Sequence, residues 1–187
     1  MTIRLSTYLC IAFMLASCVK KKDPASELPP PTTTGQMTFG CVLNDNTAYS
    51  VHGPVIVTYS FGLPDNYGIS AMMAWGGLQL QVYEFPTNLY NVNMSICDTV
   101  LHPGKYVLGQ VLDDSAHNLK SNVLELFFID GNGKNYYYQT DSFHTGQLIL
   151  TRCSDSIYSG TFSATLGLPG TTKTMSVTAG RFDIKLK

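Results

Sequence analysis

The stretch YSGTFSATL, residues 158–166, predicts the fold class more clearly than any other part of the chain. Tyr158, Phe162, Ala164 and Leu166 share one face, and serine and threonine side chains occupy the other. Successive side chains of a strand point to opposite faces, so this alternation predicts a strand with one buried and one solvated face. Gln147–Arg152, just before it, predicts a partner strand.

The last strand carries a break in its pattern. Met175 and Val177 are apolar at odd positions, whereas Phe182 and Ile184 are apolar at even positions. The change of parity predicts a bulge or tight turn at Ala179-Gly180. Beyond it, the outer face carries Arg181, Asp183, Lys185 and Lys187, and these charges are expected on a solvated face or on a protected edge of the sheet.

The remaining domain also consists of short strands separated by turn residues. Val123–Ile129 and Asn135–Thr140 flank Asp130-Gly131-Asn132-Gly133-Lys134, which is the strongest hairpin pattern in the chain. Further strands are predicted at Met37–Leu43, Val55–Phe61, Ile69–Trp75, Leu78–Phe85, Tyr90–Met94 and Lys105–Leu112. With about ten strands and no capped helical pattern, we expect an all-β fold, an antiparallel sandwich or a barrel-like sheet.

The N-terminus resembles the leader of a bacterial lipoprotein. Arg4 precedes the mostly apolar run Leu5–Ala16, which is shorter than the roughly 20 residues that a transmembrane helix needs. The run ends in the lipobox-like sequence Leu15-Ala16-Ser17-Cys18, so residues 1–17 are predicted to be a signal peptide. Lipidation of Cys18 by a diacylglyceryl group and an amide-linked chain such as palmitate would anchor the protein. The alternative is an ordinary secretory leader with Cys18 incidental.

Residues 18–34 are predicted to be a flexible linker. They contain Lys20-Lys21-Lys22, four prolines and three threonines, with few apolar side chains. Proline restricts φ and cannot donate a hydrogen bond to a sheet, so extended, solvated conformations are expected. The lysines either contact anionic headgroups, at about 1 kcal/mol each, or are simply solvated. Residues 35–187 then form a single domain.

The charge of this domain argues against a nucleic-acid partner. Residues 35–187 contain eight lysines and arginines and eleven acidic residues, and no basic stripe is visible. Proteins that bind nucleic acids depend on positive charge to neutralise phosphates.

Three cysteines remain in the domain, Cys41, Cys97 and Cys153. An oxidising compartment permits disulfides, and an odd number allows one internal pair at most. Pairing of Cys41 with Cys97 or Cys153 would contribute about 4 kcal/mol by loop closure. Free, buried thiols are the equal alternative. The spacing matches no zinc motif, and we predict neither a metal nor a cofactor.

Aromatic residues provide the candidate ligand site. Tyr136 and Tyr138 share one face of a strand, and Trp75 is a further candidate. Aromatic rings beside amides and hydroxyls suit the recognition of a glycan or peptide. Ordinary cross-strand packing is the alternative interpretation.

A hydrolytic site is the rival hypothesis. Ser142, His144 and Asp141 supply the atoms of a nucleophile, a base and an orienting group within a few residues, and Asp113 supplies a further carboxylate. Triads are normally assembled from separated elements, and no strand-turn-helix elbow surrounds Ser142. We therefore predict no catalytic residues and no enzymatic activity.

Three motifs resemble a family of Bacteroidota lipoproteins built around an all-β domain of unknown function. They are Thr38–Asn44, Tyr158–Phe162 and Gly180–Ile184. In similar chains the first motif continues as Asn-Gly, whereas Asn44 is followed here by Asp45-Asn46. The resemblance covers roughly residues 35–187 and implies an envelope-anchored β domain without known catalytic residues.

These observations together lead to an expected function. We expect a cell-envelope lipoprotein, anchored by lipid to the outer membrane on its periplasmic or surface side. The domain is expected to be a non-enzymatic binding or structural module for a glycan, peptide or envelope protein. An envelope hydrolase and a fimbria-like assembly component are the alternatives.

Overall fold

The computed structural model describes residues 22–54, 56–60, 63–74, 77–83, 90–98, 100–109, 111–112 and 120–186. The predicted leader, Cys18, Trp75 and Asp113 lie outside these residues.

The described chain is almost entirely β-structure, as the alternating sequence predicts. A short 3₁₀ helix spans Pro24–Glu27. The strands are β1 (Thr38–Leu43), β2 (Thr47–His52), β3 (Ile56–Ser60), β4 (Leu63–Ala74), β5 (Gly77–Tyr83), β6 (Tyr90–Ile96), β7 (Gly104–Leu108), β8 (Val111–Leu112), β9 (Lys120–Ser121), β10 (Val123–Ile129), β11 (Asn135–Gln139), β12 (Gly146–Ser154), β13 (Ile157–Gly167) and β14 (Thr174–Lys185).

Within the described residues, twelve of these strands form one antiparallel sheet that curls into a nearly closed barrel. The order along the sheet is β2-β1-β14-β13-β11-β10-β6-β5-β4-β3, and β12 and β7 extend from β13. The two ends approach where Ile69 N donates to Gly53 O over 2.9 Å. The all-β prediction is therefore confirmed, and the barrel-like alternative is the form observed.

The interior of the barrel is filled by alternate side chains of the strands. In β13, Phe162, Ala164 and Leu166 are buried, whereas Thr161 and Thr165 are exposed. Other fully buried core side chains include Phe39, Leu80, Met94, Leu126 and Leu148.

The predicted break at Ala179-Gly180 is confirmed. The pairing of β13 with β14 shifts register between Phe162 and Ala164, and Ala179 has a φ of 51°. Met175 and Val177 point inward before the bulge, and Phe182 and Ile184 point inward after it. The bulge thereby re-aligns the second half of β14 with the core.

The flexible-linker prediction is wrong for the described part of the linker. Residues 22–36, which we call the strap, lie against the barrel wall. Leu28 is buried, and a Cβ added at Gly40 of β1 would come within 2.9 Å of Pro29. Proline-rich chain can therefore pack in an ordered way when a surface offers partners for its backbone.

Candidate functional site

Asp183 is the centre of the contact between strap and barrel. It follows the bulge in β14, between the inward-pointing Phe182 and Ile184, so its side chain points to the outer face. The prediction of a solvated charge at Asp183 is wrong, because the strap covers this face and leaves the residue 1% exposed.

The Asp183 carboxylate accepts five hydrogen bonds. Ser159 Oγ on β13 donates to Oδ1 over 2.6 Å, and Thr32 Oγ1 donates to Oδ2 over 2.6 Å. Three successive backbone amides of the strap complete the set, with distances of 3.0 Å for Thr34, 2.8 Å for Gly35 and 3.2 Å for Gln36. Buried carboxylates need such partners, since desolvation of an ion is costly.

These donors also determine the ionisation of Asp183. Burial alone raises the pKa of the carboxyl, but hydrogen bonds from Ser159, Thr32, Gly35 and Gln36 favour the charged form. The net effect holds the pKa of Asp183 below its ordinary value. The group is therefore an anion at neutral pH, and the strap is wrapped around that anion.

Two arginines of the barrel bind backbone carbonyl groups elsewhere in the strap. Arg181 donates from its guanidinium to Ala25 O over 2.9 Å, and Arg152 on β12 donates to Thr33 O over 2.7 Å. Arg181 and Asp183 were both predicted to be solvated outer-face charges. They instead hold the strap at two points of the same strand.

The aromatic candidates do not form an exposed platform. Tyr138 is buried in the core, and Tyr136 is half-buried with its ring stacked on Phe128 at 4.9 Å between centroids. The Tyr136 hydroxyl bonds to Asp130 over 3.3 Å. Cross-strand packing, the alternative interpretation, describes both tyrosines, and Trp75 lies outside the described residues.

The Asp141, Ser142 and His144 group forms a tight turn between β11 and β12. Asp141 Oδ1 accepts the backbone amides of Phe143 and His144, and His144 Nδ1 lies 3.0 Å from the same oxygen. In the described structure no hydrogen bond joins Ser142 to His144. Burial raises the pKa of Asp141, but these hydrogen bonds outweigh it and lower the pKa.

That arrangement is a side-chain-stabilised turn. Asp and Asn side chains often accept amides two and three residues ahead, and they fix the chain direction in doing so. The pair orients His144 over Gly167, whose added Cβ would lie 2.4 Å from the ring. The turn joins β11 to β12, and its His144 ring packs on Gly167 at the end of β13. The Asp141 carboxylate already binds groups of the turn itself.

The three domain cysteines are free, so the disulfide alternative is wrong for all of them. Cys41 is buried on β1, and burial raises the pKa of its thiol to about 12. Cys153 is partly buried, and its pKa is likewise raised by desolvation. Cys97 donates from its thiol to Ser121 O over 3.3 Å.

The wall formed by β7, β12, β13 and β14 carries a polar surface that sequence reasoning did not single out. Two adjoining grooves of about 320 and 450 Å³ run across it. Val107 and Ile149 are exposed within it, at 42% and 40%. We call this surface the outer shelf, and its members are Lys105, Val107, Gln147, Ile149, Thr161, Ser163, Thr165 and Thr178.

The strand pattern contains a weak signal for the outer shelf. Outward positions of β13 from Ser159 to Thr165 are serine or threonine, but Val107 and Ile149 occupy outward positions where a wholly solvated face would carry polar groups. Protein-binding surfaces likewise combine apolar side chains with polar groups.

The described ranges offer no group of three or more histidine, cysteine or acidic side chains suited to a metal ion. None of their helical segments has the length and hydropathy that a membrane crossing requires.

Comparison of the chain with family models, curated proteins and solved structures finds no match.

Proposed function

We propose that the protein is a cell-envelope lipoprotein, lipidated at Cys18, whose barrel is a non-enzymatic binding or structural module. Leu15-Ala16-Ser17-Cys18 supports the anchor, because small residues precede a cysteine directly after an apolar run of leader length. The strap fits this proposal, since its first hydrogen bond to the barrel joins Ala25 to Arg181, only seven residues after Cys18. Attachment to the outer membrane is part of this proposal.

The anchor is tested by mass spectrometry of the mature N-terminus and by detergent phase partitioning. Wild-type protein should carry a lipid mass on Cys18 and enter the detergent phase. Cys18→Ser should lose both properties, and Cys97→Ser should keep both, because Cys97 lies in the domain. An unmodified Cys18 at the mature N-terminus, or a Cys18→Ser chain that still partitions with detergent, would contradict the anchor.

The outer shelf supports the binding part of the proposal, with an envelope protein as the partner. The tyrosines that would stack on a sugar are used for packing inside the barrel. The shelf instead combines hydroxyl and amide groups with the exposed side chains of Val107 and Ile149. Such a mixture suits a protein surface, which provides both hydrogen-bonding and apolar groups.

Site-specific photocrosslinking in intact cells tests this surface. A photoreactive residue at Ser163, an exposed position of the shelf, should form an adduct with one identifiable envelope protein. The same residue at Asn135, exposed on β11, is the matched control and should form none. No adduct at Ser163, or equal adducts at both positions, would remove the binding role. An adduct with a second copy of the chain would favour an assembly component, and a glycan adduct would replace the protein partner.

A further inference from the structure

The strap shortens the link between barrel and membrane. A peptide chain spans at most about 3.6 Å per residue, so Cys18 and Ala25, the first strap residue that bonds to the barrel, are separated by no more than about 25 Å. If the whole segment up to Thr38 were free, the same limit would be about 70 Å. Docking of residues 22–36 therefore removes most of the reach that the sequence suggests for the linker.

The start of the strap lies on one particular wall of the barrel. The 3₁₀ helix contacts β1 and β2, and its Ala25 carbonyl accepts a hydrogen bond from Arg181 of β14. Leu28 and Pro29 then cross Gly40 of β1, which pairs with Ser50 of β2. The chain thus reaches the barrel at the wall of β2, β1 and β14.

The opposite wall is formed by β6 and the strands beside it, β10 and β11, and one aromatic contact reaches it across the interior. Tyr49 of β2 contacts Tyr90 of β6 at 5.8 Å, and Tyr90 contacts Phe128 of β10 at 5.7 Å. Phe128 stacks on Tyr138 of β11 at 6.0 Å. Neighbouring residues on a strand point to opposite faces, so Ser50 and Tyr137 lie on the outer surfaces of two opposed walls.

Given the proposed lipid anchor, on which this step rests, we infer that the strap orients the barrel with the β2-β1-β14 wall facing the bilayer. The partner of that wall is a layer of phosphate headgroups. Lys22 lies 3.2 Å from Glu27 but stays largely exposed, and it follows Lys20-Lys21, so three lysines precede the first acidic residue of the segment, Asp23. Juxtamembrane lysines are attracted to anionic lipids. Hydrogen bonds to Asp183 and from Arg181 hold this orientation.

Energy transfer to the bilayer measures the orientation directly. The lipidated protein is reconstituted in vesicles of phosphatidylethanolamine and phosphatidylglycerol that contain an acceptor-labelled lipid. A donor dye is attached at Ser50→Cys or Tyr137→Cys, in a chain whose Cys97 and Cys153 are replaced by serine. Transfer should be higher from position 50 than from position 137.

Two variants test whether the strap causes the difference in energy transfer between positions 50 and 137. Asp183→Asn should release the strap and abolish the difference between the two positions. Because that change could also unfold the barrel, a second variant inserts a twelve-residue Gly/Ser segment between Val19 and Lys20. The insertion leaves every described contact in place, and it should also abolish the difference.

The outcomes distinguish this inference from the proposed function. Equal transfer from both positions in the lipidated chain, or a difference that survives the insertion, would overturn the orientation while leaving the anchor intact. A chain that neither carries lipid nor floats with the vesicles would overturn the anchor itself, and the orientation with it.

Discussion

Thr32 Oγ1 donates a 2.6 Å hydrogen bond to Asp183 Oδ2, joining two residues that are 151 positions apart. The bond connects a segment of linker-like composition to the last strand of the barrel. Because the carboxylate also binds Ser159 of β13, one anion links the strap to two neighbouring strands. The N-terminal segment is therefore part of the folded domain.

Asp183→Asn should lower the free energy of unfolding by about 3 kcal/mol, since hydrogen bonds to charged groups contribute about 1.5–3 kcal/mol each and several weaken together. The amide also turns a donor toward groups that are themselves donors. Urea unfolding measures the change. Asp155→Asn removes an exposed carboxylate that pairs with Arg152 and should change stability by less than about 1 kcal/mol. Equal effects of the two substitutions would contradict a special role of Asp183.

The contribution of Asp183 should depend on pH. Its pKa is lower in the folded protein than the ordinary value of 3.8, so at acidic pH the unfolded chain binds the proton more readily. The stabilisation is complete above that ordinary value and is lost as the pH falls through the folded pKa. The stability difference between wild type and Asp183→Asn should thus be constant near neutral pH and shrink below about pH 4. A difference that grows on acidification would contradict the lowered pKa.

Gly180→Ala should destabilise the barrel by about 1–3 kcal/mol, the usual cost of overpacking. An added Cβ would lie 2.6 Å from the ring and carbonyl of Phe162, directly opposite the bulge. Thermal unfolding measures the loss. Gly131→Ala is the matched control, because nothing lies within 4 Å of its added Cβ, and it should be nearly neutral. An unchanged unfolding temperature for Gly180→Ala would contradict the close approach of Gly180 to Phe162.

The free thiols should differ in reactivity. Cys97 and Cys153 are partly accessible and should react with a maleimide in the folded protein. Cys41 is buried and its pKa is raised to about 12, so it should react only after denaturation. Peptide mapping by mass spectrometry identifies the labelled sites. A cysteine pair linked in the non-reduced map would contradict the free state of all three.

Local patterns were sufficient to predict most of the strands. The hairpin around Asp130–Lys134 follows from its turn residues, and the burial pattern of β13 follows from the alternation of apolar and polar side chains. Both signals lie in residues that are close together in sequence. The bulge at Ala179-Gly180 was visible as a change of parity. β2 was not predicted, because only Tyr49 and Val51 mark a buried face in Thr47–His52, and the strand is stabilised by its pairing with β1.

The strap was not predictable from such patterns. Proline, threonine and lysine suggest a solvated linker, and nothing near Thr32 in sequence indicates a partner 151 residues away. The sequence of β14 does not indicate this contact, because Asp183 occupies an outward position between the inward-pointing Phe182 and Ile184, where a solvated carboxylate would also lie. A buried carboxylate requires donors, but sequence alone does not say that this one is buried or which segment covers it. The outer shelf was not predicted either, because outward-facing polar residues have the same sequence pattern whether they face water or a partner protein.

Amide hydrogen exchange of the strap tests the central claim most directly. Measured by NMR on the mature chain without lipid, the amides of Thr34, Gly35 and Gln36 should be protected, because each donates to the Asp183 carboxylate. That protection should disappear in Asp183→Asn while the amides of β13 remain protected. Exchange of the three amides in the wild-type protein at the rate of an unstructured peptide would contradict a docked strap.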